Sequence, residues 1–169
     1  MHSATHPRNR GRVTQSGFSL IELLIVVAII LIVAAIAIPN FLRAKITANE
    51  ASAVASVRTL STAETAYATT YPTIGYSALL TDLGPGVAVP CAATVAHACL
   101  IDGVLAAGTK SGYLFTYVQD NATVPSAGYT INADPSNRGA TGQRSFYTDQ
   151  PGVIRFNPSA VATVNDPTI

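Results

Sequence analysis

At 169 residues the chain has room for one modest globular domain plus a membrane segment, and its Thr-, Ser-, Gly- and Pro-rich second half does not suit a large enzyme core. Apolar residues make up 49% and charged residues 11%, a balance tilted by one N-terminal run. The net charge of +1 hides an asymmetry: residues 1–17 carry Arg8, Arg10 and Arg12 with no acid, leaving seven basic against nine acidic side chains beyond them. No basic patch remains to argue for a nucleic-acid partner.

Residues 1–17 (MHSATHPRNRGRVTQSG) read as a basic leader. Behind them Phe18 to Ile38 reads FSLIELLIVVAIILIVAAIAI, an apolar run of 21 residues whose single charge is Glu22. Such a run is long enough to span a bilayer, and the arginines place the leader on the cytoplasmic side. An ionised carboxylate in a membrane helix costs about 2.5–3.5 kcal/mol near its centre and less near its end, so Glu22 calls for a partner. A secretory signal has a shorter apolar core and a small-x-small cleavage site, and AAIAIP supplies that site imperfectly. A lipoprotein signal needs a cysteine after the core, where there is none. A plain anchor explains the length and the arginines but leaves Glu22 without a reason.

The string Gly17-Phe18-Ser19-Leu20-Ile21-Glu22, set between a basic leader and an uninterrupted apolar run, resembles the prepilin cleavage and methylation signature of type IV pilins and their relatives. The resemblance implies a membrane peptidase and methyltransferase that cuts after Gly17 and methylates the new amino terminus of Phe18. It implies that Glu22 is the assembly residue. The implied protein is a non-enzymatic structural subunit of a type IV pilus, serving adhesion, motility or DNA uptake. Its implied partners are the prepilin peptidase, an inner-membrane assembly platform, membrane lipid before assembly, and copies of itself in a helical filament. Its implied location is the inner membrane, with the leader cytoplasmic and the head periplasmic, and then a cell-surface filament. A major pseudopilin of a type II secretion system shares the same N-terminal half, and a membrane-anchored binding domain that never polymerises is the alternative of another class. Physical chemistry supports the assembly role. Cleavage creates a cation on Phe18 one helical turn from Glu22, and a buried charge pair between staggered neighbours favours one register.

Next in the chain, Pro39 predicts a kink in a helix that otherwise continues. From Phe41 to Tyr71 the pattern turns amphipathic. Ile46, Ala53, Val57, Leu60, Tyr67 and Tyr71 form a narrow stripe, and Arg43, Lys45, Glu50, Arg58 and Thr65 fall on the other faces. Tyr67 and Tyr71 read as core contacts. Pro72 ends the helix.

Residues 73–90 read as a loop with a short helical turn at 77–82 and a turn cluster at Leu83-Gly84-Pro85-Gly86. Cys91 and Cys99 are expected to form a disulfide in an oxidising compartment; with only His97 nearby they fall short of a four-ligand metal set. That position departs from the C-terminal disulfide of many type IV pilins. Strands are expected at 112–119, 128–133, 143–148 and 152–156, the last two joined by a type II turn at Asp149-Gln150-Pro151-Gly152. The tail after Pro158 is expected to be loose or an edge segment. Asp82, Asp102, Asp120, Asp134 and Asp149 sit among turns, where aspartate serves its own backbone. No spacing among Asp120, Asp134 and Asp149 singles out a calcium loop, so no metal or cofactor is expected. Asn121-Ala122-Thr123 matches a three-residue glycosylation sequon. The expected fold is α+β. A cleaved leader (1–17) precedes a long helix (18–71), membrane-spanning over 18–38 and amphipathic over 39–71. A β-rich head (72–169) packs about four antiparallel strands on that helix.

Overall fold

The computed structural model describes residues 17–87 and 90–169; the leader ahead of Gly17 and two residues of the loop before Cys91 lie outside the described residues. Helix α1 runs Leu20–Thr70, 51 residues with Pro39 inside it. The Ser19 carbonyl accepts the Leu23 N–H at 3.2 Å and opens the helix. Its last turn closes with the Tyr71 N–H on the Tyr67 carbonyl at 2.8 Å, and Pro72 stops it. The chain divides after Pro39 into two compact units.

Within the first unit the apolar run buries none of its most hydrophobic 18-residue window. Large side chains from Phe18 to Ile38 are exposed, an apolar surface of the kind that marks a membrane or protein contact.

The second unit, Asn40–Ile169, holds the sheet and the core. Its five strands are β1 (Thr109–Lys110), β2 (Tyr113–Gln119), β3 (Tyr129–Pro135), β4 (Ser145–Asp149) and β5 (Arg155–Asn157). They lie in chain order and all pair antiparallel, so the meander has five strands where four are expected. The extra strand, β1, is too short to show an alternation. It exists because Ser111 (φ 50) and Gly112 (φ 74) make the two-residue hairpin turn with both φ positive that matches strand twist.

Alternation sends Tyr113, Phe115, Tyr129, Ile131, Ala133 and Phe146 inward. The register lines up Phe115, Ala133, Phe146 and Phe156 across four strands, so the small Ala133 sits between two rings. Against this face lie Ala53, Val57, Leu60, Ala63 and Tyr67 of α1. Each large apolar side chain buried there contributes about 1.5–3 kcal/mol. Leu80 and Leu83 from a 3₁₀ turn (Leu80–Leu83), with Leu105 from the four-residue helix α2 (Gly103–Ala106), close the core.

One expectation needs correction, and one resolves to the second of its two alternatives. The turn at Asp149–Gly152 has its hydrogen bond, Gly152 N–H to the Asp149 carbonyl at 2.8 Å, but it is not type II. Its left-handed residue is Gly152 (φ 74) in the fourth position, whereas a type II turn needs positive φ at the third, where Pro151 has its ring-fixed negative φ. The tail is an edge segment rather than a loose end: Phe156 donates to the Pro167 carbonyl at 2.9 Å and Ile169 to that of Ile154 at 3.1 Å. Ala162 is buried, and its carbonyl accepts from Asn132 Nδ2 at 2.7 Å.

Candidate processing and assembly site

Gly17, Phe18 and Ser19 precede the helix and carry no regular structure, and Phe18 is 83% exposed. An unstructured, accessible bond next to a glycine is what a peptidase must thread. Glu22 falls in the first turn of α1, where a carboxylate complements the positive end of the helix dipole. Its side chain is in neither of the two ion pairs among the described residues. A cut after Gly17 would put an ammonium four residues ahead of Glu22 in the chain.

Two further glutamates hold α1 to the head, and the sequence reading placed one wrongly and passed over the other. Glu50, expected on an outer face, is 6% exposed. Its Oε1 accepts the N–H groups of Gln143 (2.9 Å) and Arg144 (3.0 Å), and its Oε2 accepts Arg144 Nε at 2.8 Å. Burial alone would raise this carboxyl, but those three donors outweigh it and hold it below the ordinary range. The Arg144 guanidinium also lies 5.6 Å from the Phe146 and Phe156 ring centroids. Beside it Asn49 Nδ2 donates to the Thr141 carbonyl at 2.7 Å. Glu64 is fully buried and bonded to Ser77. A signal for both was present. The stripe 46, 53, 57, 60, 67, 71 has two gaps of seven, and glutamates at 50 and 64 fill them on the 3–4 spacing of the buried face.

Cys91 and Cys99 form the expected disulfide, so both sulfurs are committed and cannot join His97 around a metal. The ring it closes docks on α1 through Tyr67, whose hydroxyl donates to the Val95 carbonyl at 2.8 Å. Reducing it, or making Cys91→Ser with Cys99→Ser, is expected to cost about 2.5 kcal/mol from the entropy of so short a loop, read as a lower denaturant midpoint. Tyr67 and Tyr71 are core contacts, with ring centroids 4.8 Å apart.

The scattered aspartates mostly serve the backbone, as expected. Asp82 accepts from the Leu79 N–H, Asp102 from Leu105 and Asp120 from Ala122. Asp120 and Asp149 line one open cleft of about 500 Å³ with Tyr129 and Tyr147, and Asn121 of the sequon is on its rim. Asp134 is outside that cleft, and among the described residues no group of three His, Cys, Asp or Glu side chains is placed to hold a metal.

Residues 12–38 match the family of the prokaryotic N-terminal methylation motif. Its N-terminal segment carries that methylation motif. The motif covers Gly17, Phe18, Glu22 and the whole apolar run. The chain is also 46% identical over 65 residues to the type IV major pilin protein PilA of Myxococcus xanthus (strain DK1622), a stretch that is 38% of this chain. That stretch spans 27% of the relative's own length. No solved structure matches the chain significantly. The methylation motif, and not the apolar run, is the feature that an ordinary anchor lacks.

Proposed function

We propose that the protein is the structural subunit of a type IV pilus, cleaved after Gly17, N-methylated on Phe18 and polymerised through the apolar half of α1. One observation carries this reading: the methylation motif opens a helix whose most apolar window is wholly unburied among the described residues. Before assembly the bilayer takes that surface, and in the filament other copies of the same helix take it. Glu22 then sets the stagger between neighbours, and Pro39 is the place where α1 can bend as subunits join. The peptidase, the assembly platform and the inner-membrane topology follow from the same reading.

Mass spectrometry of the mature protein's N-terminus tests it. The expected product begins at N-methylated Phe18. Retention of Met1 to Gly17, or cleavage near Ala37, would overturn the proposal.

A further inference from the structure

Glu64 is an acid buried on α1 with no cation beside it. Its Oε2 accepts the Ser77 N–H at 3.0 Å and its Oε1 accepts the Ser77 hydroxyl at 2.5 Å. Ser77, also fully buried, ends the segment Tyr71–Ser77 that carries the chain from helix to head. The same segment is tied to the sheet and its loops. Tyr117 donates its hydroxyl to the Ser77 carbonyl and Gln119 its side-chain amide to that of Tyr76, both at 2.7 Å. Ser126 donates its N–H to the Ile74 carbonyl at 2.8 Å. Gly75 (φ 82) lies so close that any Cβ there would collide with the Ser126 backbone.

The titratable groups that face Glu64 are Tyr67 on its own helix, Asp82 in the 3₁₀ turn, Tyr117 on β2 and Tyr129 on β3. None of them is a cation, and the two ion pairs among the described residues are formed by other acids. Burial pushes the Glu64 carboxyl above the ordinary range, against the lowering bonds from Ser77 and the Tyr117 hydroxyl, and Asp82 adds repulsion.

We propose that Glu64 is a proton-controlled latch: as the neutral acid it holds Tyr71–Ser77 between helix and sheet, and its ionisation loosens that segment. In the neutral state one carboxyl oxygen carries the proton while Ser77 keeps donating its hydroxyl to Oε1 and its N–H to Oε2; on ionisation the proton leaves to solvent. A carboxyl raised in the closed state binds its proton more tightly there than in the open state. The latch is therefore strongest below the open-state value of about 4.3 and weakens up to tenfold per pH unit as pH rises, until the closed-state value is passed.

Amide hydrogen exchange on the full chain in detergent micelles tests the latch, with protection at Ser77 read against the amides of β3. The expected result is protection at Ser77 that falls with rising pH in the wild type and stays flat in Glu64→Gln. Wild-type protection as flat as that of the variant overturns the proposal. Should Glu64→Gln fail to fold, the carboxyl carbon resonance of Glu64 in the wild type decides: titration above the ordinary glutamate range supports the latch, and titration within or below it overturns it.

Discussion

Glu22→Ala is expected to leave cleavage and membrane insertion intact and to abolish filaments. Removing a charge from the apolar run lowers the cost of insertion, so the precursor reaches the membrane at least as well. Gly17, Phe18 and Ser19 are untouched by the substitution and stay ahead of the helix, so the peptidase meets the same bond. On the proposed reading, what the variant lacks is the acid that would meet a neighbour's Phe18 amine. An unpaired ammonium in a low-dielectric filament core costs several kcal/mol, and a purely apolar helix has no preferred stagger. Electron microscopy of sheared surface material, beside mass spectrometry of the membrane fraction, provides both readouts. Normal filaments from the variant would show that the register comes from elsewhere.

The second large effect concerns the head. Glu50→Ala should lower its stability by about 2 kcal/mol, because two partly buried backbone N–H groups each lose their acceptor, at the lower end of about 1–3 kcal/mol apiece. The bond to Arg144 counts for less, since that side chain is partly exposed. Glu50→Gln should retain part of the loss, as an amide oxygen can accept from only one side of the clasp. The effect is pH-dependent. The folded carboxyl lies below its ordinary value, so its stabilisation is complete above the unfolded value of about 4.3 and is lost as pH falls through the folded one. Denaturant unfolding of the full chain in detergent at neutral and acid pH should show the wild type converging on Glu50→Ala as pH drops. Equal midpoints at neutral pH would show that the clasp contributes nothing.

These two glutamates show how far the sequence could be read. The strands were legible at Tyr113–Gln119 and Tyr129–Pro135 because the alternating pattern of β2 and β3 is written in large apolar side chains. Glu50 was not, because a charge beside an apolar stripe reads as an outer face, and the stripe as read leaves Glu64 unassigned. Only β4 and its preceding loop, brought more than 90 residues along the chain to Glu50, supply the donors that make its burial favourable. Likewise the left-handed glycine after Pro151 depends on how β4 and β5 meet, and four residues of turn chemistry do not encode that.

By itself the sequence determined the N-terminal half: basic leader, Gly17-Phe18, Glu22 and an apolar run. There the pattern is local along the chain, and the methylation motif is contiguous. The tertiary structure decided how the head is held, namely the Glu50 clasp, the Glu64–Ser77 contact and the tail fastened along β5. Those features depend on donors and acceptors distant in the chain that become partners only once the sheet has formed, so periodicity alone does not encode them.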